Sequence, residues 1–265
     1  MRTIELNPKY EHLRPFISQI PERMDTDGTY IYGGRRNLIK LFEAPDGTRL
    51  NVKRYQIPSF LNNIIYSTGI RQPKGRRAYT YPAILLQRGI ETPEAVAYIE
   101  DRRMGLLRHS WFISIQCPYS HLLYEMGDAT ESDYAPVAHA LAAYAAHMHQ
   151  QEVLHLDFSP GNVLWDVEHA LDDCLAGDKS QVPDIYHFAV VDINRMRFGT
   201  VSMADGCRSF ARLWGPKHFM ELLIADYARL RGFDIDTSTD ILMAERRRFW
   251  TRYQKKREME FKLEL

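Results

Sequence analysis

Residues 153–166 read VLHLDFSPGNVLWD: apolar VL and VLW flank a polar segment in which His155, Asp157 and Asn162 stand in the order H-x-D-x-x-x-x-N. Ser159, Pro160 and Gly161 favour a turn over a continuing helix, and Val163 and Leu164 suit the start of a strand. A carboxylate and an amide five residues apart on a tight loop can both point inward. That pair suits phosphoryl transfer, which needs a carboxylate to orient the attacking hydroxyl and accept its proton, and an oxygen donor for Mg²⁺. Asp157 is the candidate base and Asn162 the candidate magnesium ligand.

Two further residues extend the pattern. In FAVVDINRMRF (188–198) an apolar strand delivers Asp192 at its end, the natural second magnesium ligand. In LNVKRY (50–55) Lys53 sits at a strand's apolar exit, ahead of the loop in sequence, where it can contact the α and β phosphates of ATP. Singly, each has an ordinary reading: Asp157 caps a turn, His155 is a core histidine, Asp192 ends a strand, Lys53 is solvated. Their order, with strand and helix patterns between them, supports the joint reading, and it matches the catalytic-loop order of kinases.

The surrounding chain fits. Residues 8–24 place Tyr10, Leu13, Phe16, Ile17 and Ile20 at helical spacing, predicting one short amphipathic helix beside the first sheet. The runs YIYGG, NLIKLFE and TRLNVKRY, the last two separated by Pro-Asp-Gly at 45–47, predict an antiparallel meander. A helix is expected over 74–88, capped by Gly89, with Pro82 at its start or kinking it. AVAYIED and SWFISIQC then read as strands, 133–151 as a helix, NVLWD and HFAVVDI as short strands, and the rest as helical. The expected fold class is α+β and bilobal: an N-terminal helical extension (1–28), an N-lobe antiparallel sheet with one main helix (29–117) and a mostly helical C-lobe (118–265).

Composition narrows the function classes. With Lys plus Arg equal to Asp plus Glu at 34 each, no global positive field marks a nucleic-acid binder. Cys117, Cys174 and Cys207 form no C-x-x-C pair, so neither zinc nor a disulfide framework is expected. The charged start MRTIELNPKYEHLRPF lacks the apolar core of a secretory signal, and no run approaches a membrane span; a cytoplasmic protein is expected.

HLDFSPGNVL, GGRRNLIKLF with the following VKRY, GIETPEAVAYIE and VVDINRMRF together resemble the lipopolysaccharide kinases of the Kdo and heptose kinase type, a family with a protein-kinase-like fold. The resemblance spans about residues 8–235. It implies ATP and Mg²⁺ as cofactors and a sugar hydroxyl of a lipid A-core glycolipid as acceptor, at the inner face of the cytoplasmic membrane. Position by position, it implies Lys53 for the nucleotide phosphates, Asp157 as base, Asn162 and Asp192 for magnesium, and His155 as a supporting residue of the loop. The phosphate-covering loop would fall at Gly33 and Gly34, with Arg35 and Arg36 as donors, although G-x-G-x-x-G is absent.

One departure is chemical. From Gln56 through Ile90 there is no Asp or Glu, so the glutamate that ordinarily pairs with the N-lobe lysine is missing, and Thr80 stands nearest its place. Lys53 must be held by Asp192, by Thr80 or by nucleotide alone. A pseudokinase, a Ser/Thr protein kinase and an aminoglycoside-type phosphotransferase are therefore the alternatives; no A-P-E-like sequence follows VVDINRMRFG, which favours a small or glycolipid acceptor. Two further expectations concern the surface. Arg246, Arg247, Arg248, Arg252, Lys255, Lys256 and Arg257, interleaved with Phe249, Trp250 and Tyr253, form either a basic helix for anionic lipid headgroups or a solvated helix packing its aromatics. Residues 166–185 read as an acidic surface insertion, and a monomer is expected.

Overall fold

The computed structural model describes residues 1–33, 37–59, 63, 65–66, 72–169, 184–259 and 261–264. The chain divides into two compact units, one formed by Met1–Cys117 with Asp192–Asn194 and the other by Pro118–Val191 with Arg195–Leu265.

The first unit is built on strands β1 (Arg2–Leu6), β2 (Thr29–Gly33), β3 (Asn37–Glu43), β4 (Arg49–Tyr55), β5 (Ala95–Arg103) and β6 (Leu106–Ile115), in the spatial order β1-β5-β6-β4-β3-β2 and antiparallel throughout. The meander falls where alternation and turn chemistry place it. At the β3–β4 turn Gly47 adopts φ +83°, and Asp46 accepts a hydrogen bond from the Thr48 backbone N–H at 2.9 Å. The sheet has six strands where the sequence pattern shows five, because RTIEL pairs with β5 as an edge strand, Ile4 opposite Ile99.

Residues 8–23 form no single helix. A 3₁₀ turn (Pro8–Leu13) and two one-turn helices, α1 (Arg14–Ile17) and α2 (Ile20–Arg23), follow one another, and each carries a proline in its first two positions. Proline suits a helix start but removes a donor from a helix interior, so Pro8, Pro15 and Pro21 restart the chain three times. The apolar residues still point one way: Tyr10, Leu13, Ile17 and Ile20 join Leu50, Val52, Ala97, Ile99 and Ile113 in the core on one sheet face.

The opposite face receives α3 (Lys74–Gln87). Gly75 sits so close that a Cβ there would lie 2.7 Å from the Tyr98 ring and 3.2 Å from the Tyr55 ring. The helix ends as the glycine signal predicts, with Gly89 at φ +69° and the N–H groups of Ile90 and Gly89 donating to the carbonyls of Leu85 (2.9 Å) and Leu86 (3.1 Å). Pro82 lies inside this helix, not at its start.

In the second unit the long helices are α4 (Glu131–Gln150), α6 (Lys217–Arg231) and α7 (Ile235–Gln254), with the short α5 (Met203–Ser209) before α6. Val137, Leu141, Ala145 and Met148 share the buried stripe of α4, and Tyr144 lies at its margin. Two small sheets accompany them: β7 (His121–Leu122), β9 (Val163–Glu168) and β10 (Ile185–Val190) in the order β10-β9-β7, and β8 (Val153–His155) with β11 (Met196–Phe198). The hairpin of β9 and β10 stays in register from Val163↔Val190 to Glu168↔Ile185. Asp166, Val167 and Glu168 are therefore strand, as is Ile185, so both ends of the expected insertion are hairpin instead; residues 170–183 lie outside the described residues.

The C-terminal basic stretch divides by burial. Arg247, Arg248 and Arg252 on α7 and Lys255, Lys256 and Arg257 beyond it are exposed, whereas Arg246 is fully buried and donates to the backbone carbonyls of Leu213 (2.5 Å) and Gly215 (2.9 Å). Arg246 is thus no part of a basic surface; burial lowers its pKa to about 10, which leaves it charged at neutral pH. Trp250 is buried beside Phe261, whereas Phe249 and Tyr253 are half-buried. Among the described residues no helix is long and apolar enough to cross a membrane.

Candidate active site

In the first unit the alternation of β4 decides where Lys53 points. Leu50 and Val52 face the core beneath the N-terminal turns, so Lys53 and Tyr55 face the other way. Lys53 is almost fully buried, and its Nζ lies 2.6 Å from Oδ1 of Asp192 and 5.5 Å from the centre of the Tyr55 ring. Of the three ways to hold this lysine, the chain uses Asp192. Thr80 instead donates to the carbonyl of Arg77 within its own helix, at 3.3 Å. Burial, reinforced by the Asp192 charge, pushes the Tyr55 hydroxyl well above its ordinary range.

Asp192 adopts φ +52°, a left-handed conformation that aspartate tolerates better than most residues. Buried Asn194 donates from Nδ2 to the same Oδ1 that receives Lys53. Asparagine two residues after the aspartate therefore fixes the carboxylate's orientation, a role the sequence pattern does not announce.

The ion pair predicts a stability effect. Asp192→Asn keeps the backbone preference and the side-chain shape but leaves Lys53 charged without a counter-ion. With one partner a third exposed, the expected loss is about 1–3 kcal/mol. Urea unfolding of Asp192→Asn beside Lys53→Met/Asp192→Asn checks this: the double variant should recover most of the loss, and equal loss in both would show that the pair is not its source.

In the second unit the loop after β8 is tied at several points. The His155 ring is buried, and its Nδ1 accepts from the Asp157 backbone N–H at 3.1 Å, so its Nε2 carries the hydrogen donated to the Val191 carbonyl at 3.0 Å. His155 is thus a neutral brace between the loop and the end of the strand preceding Asp192. Phe158 is buried against His155 on one side and Phe210 on the other, which anchors the loop in the helical core. Pro160–Asn162 form one 3₁₀ turn closed by the Asn162 N–H on the Ser159 carbonyl, 2.9 Å.

Asn162 donates from Nδ2 to the Asp157 carbonyl at 2.9 Å, while its own carbonyl accepts from the Val191 N–H, also 2.9 Å. With Nδ2 committed, the end of the amide left for a ligand is Oδ1, a hard oxygen of the kind Mg²⁺ takes. Among the described residues no group of three or more His, Cys, Asp or Glu side chains could hold a metal.

The Asp157 carboxylate has two partners that the loop motif does not reveal. Arg212 donates from Nη1 to Oδ1, and Arg195 lies 3.4 Å from Oδ2. Arg195 was visible as part of the basic segment after Asp192. Arg212 carried no signal, because the short turn Phe210–Arg212 that presents it follows from the packing of α5 and α7.

Of the expected phosphate loop, Gly33 ends β2, exposed, with the Tyr30 hydroxyl donating to its carbonyl at 3.1 Å. Gly34, Arg35 and Arg36 lie outside the described residues.

No family model matches the chain, and no curated protein matches it in sequence. Among solved structures, WaaP in complex with acyl carrier protein is 17% identical, with a TM-score of 0.57 over 95% of this chain and 99% of that one. The Rio2 kinase from Chaetomium thermophilum is 16% identical in its ADP/Mg²⁺-phosphoaspartate complex, TM-score 0.48, covering 91% of this chain and 75% of that one. A second Rio2 structure from the same organism is 15% identical, TM-score 0.47, covering 91% and 77%. The antiparallel N-terminal sheet, the helical C-terminal part and the likeness to WaaP along nearly the whole of both chains establish a protein-kinase-like fold.

Proposed function

We propose that the chain is an ATP- and Mg²⁺-dependent kinase that phosphorylates a sugar hydroxyl of a lipopolysaccharide-type glycolipid. The observation that carries the reading is the tied loop from His155 to Asn162, which commits the amide nitrogen of Asn162 to Asp157 and leaves its oxygen for a cation.

In this reading Lys53 would neutralise the α and β phosphates of ATP, and Asp192 and Asn162 would each offer an oxygen to magnesium, which would offset charge on the phosphates. Asp157 orients the acceptor hydroxyl and takes its proton as the hydroxyl oxygen bonds to the γ-phosphorus. The bond from that phosphorus to the β–γ bridging oxygen breaks, and ADP leaves. Little covalent work falls to the protein, so positioning and charge account for the rate. Placing Lys53 on Asp192 meets the need for an anchored lysine without a helix glutamate.

The glycolipid acceptor rests on the sequence resemblance, and the exposed cations from Arg247 to Arg257 would suit contact with the anionic inner face of the cytoplasmic membrane. Purified protein incubated with Mg²⁺, γ-labelled ATP and lipid A-core acceptors is expected to label the glycolipid. Asp157→Ala should lower the rate by about 10²–10⁴-fold, the usual worth of a positioned base. Equal background in both samples would remove the kinase reading and leave a nucleotide-binding pseudokinase.

A further inference from the structure

Both oxygens of the Asp157 carboxylate are engaged by guanidinium groups from later in the chain. Each carboxylate oxygen keeps a second lone pair, but a guanidinium group on both oxygens crowds the approach of an incoming hydroxyl, and withdrawal of one arginine opens it.

The two arginines are held differently. Arg195 is about half exposed and makes the longer contact, 3.4 Å. Arg212 is guided from behind. Its guanidinium carbon lies 5.2 Å from the centre of the Phe249 ring, and buried Arg246, one turn earlier on α7, pins the carbonyls of Leu213 and Gly215 just after it. The Arg212 side chain nevertheless keeps 38% of its surface open. An arginine braced behind and open in front can slide across an aromatic ring between two anions, and its planar fork matches carboxylate and phosphate alike.

We infer that Arg212 recognises an anionic group, phosphate or carboxylate, carried by the hydroxyl acceptor, and that its passage from Asp157 to that group frees Asp157 for the hydroxyl. The inference rests on the phosphoryl-transfer reading and adds to it an acceptor class: acidic sugars open the clamp, and neutral ones leave it shut. It also gives Phe249 and Arg246 a task as positioning residues.

Binding is tested without chemistry, by calorimetric titration of the nucleotide-free protein with glucose 1-phosphate, glucuronate and glucose. Both anionic sugars should bind at least about tenfold more tightly than glucose, as charged hydrogen bonds to a guanidinium predict. Arg212→Gln should erase that preference. Asp157→Asn, which removes the competing carboxylate, should strengthen it by about threefold or more. Because these two variants move the affinity in opposite directions, misfolding cannot produce the expected pair of results. Glucose binding as tightly as glucose 1-phosphate, or a preference that survives in Arg212→Gln, overturns the inference. Glucose 1-phosphate alone being preferred assigns the site to phosphate, and glucuronate alone to carboxylate; either supports it.

Label transfer from ATP to the same three sugars separates the two readings. Anion preference in binding without transfer to any acceptor, the lipid A-core glycolipid included, removes the kinase reading. Transfer with the same kcat/KM to acidic and neutral sugars, reduced in equal proportion by Arg212→Gln, removes this inference and leaves the kinase.

Discussion

Gly206→Ala is expected to destabilise the second unit by about 1–3 kcal/mol, although alanine is worth about 1 kcal/mol more than glycine in an ordinary helix interior. The sign reverses because of what lies opposite. A Cβ at position 206 would fall inside the van der Waals envelope of the Tyr227 hydroxyl, 3.0 Å from its ring carbon Cζ and 3.3 Å from Nδ1 of His149. Tyr227 has nowhere to retreat: it is fully buried, its hydroxyl lies 2.8 Å from His149 Nδ1, and Arg231 donates to it at 3.2 Å. The added methyl must overpack the core or break a buried hydrogen bond, each costing about 1–3 kcal/mol. Denaturant unfolding of Gly206→Ala beside Gly206→Ala/Tyr227→Phe checks the cause. The double variant should regain part of the loss, and a stabilised single variant would show that α5 does not approach α6 this closely.

The second large effect is on the pH dependence of stability. Burial, then the nearby charges of Arg231 and Arg197, bring the pKa of His149 down to about 3. The hydrogen bonds agree: Arg231 donates to the phenol oxygen of Tyr227, so the phenol hydrogen is free to point at Nδ1, which must be unprotonated to accept it. In the unfolded chain the ring titrates near 6.5. Above that pH neither state binds the proton, and His149 adds no pH dependence. Below it the unfolded chain takes up a proton that the folded chain refuses, so stability falls as pH drops from about 6.5 toward 3, by about 1.4 kcal/mol per pH unit. The total approaches ~4–5 kcal/mol at the acid end. Chemical denaturation from pH 7.5 to 4 should show this slope in the wild-type chain and lose most of it in His149→Gln. An unchanged slope in the variant would assign the acid sensitivity to other groups.

These two residues illustrate what a linear pattern conveys. Gly206 and His149 are unremarkable in sequence, a glycine in a short helix and one of two histidines in the last turn of α4. Their consequences arise because α4, α5 and α6 bring residues 149, 206 and 227 to one point. Arg246 makes the same case in reverse. Arg247 and Arg248 beside it are exposed, and only the turn from Leu213 to Gly215, whose carbonyls accept from its guanidinium, explains why this arginine is inside.

The strands of the central meander were legible because their signals are local: alternation of apolar residues, Pro-Asp-Gly between two runs, a glycine ending α3. So was the order of Lys53, Asp157, Asn162 and Asp192, since each sits in a short segment whose turn or strand chemistry places it. Apolar spacing over residues 8–24 predicts one helix where three prolines restart the chain, and RTIEL carries no strand signal of its own because its pairing partner lies almost a hundred residues away. The sequence narrows the partner of Lys53 to Asp192, Thr80 or nucleotide without choosing among them, and it gives no sign of the two arginines on Asp157. Hydrogen bonds and ion pairs act over about 3 Å in space and are indifferent to separation along the chain. Periodicity and turn propensity fix which way a side chain faces, while its partner is settled only when distant segments pack.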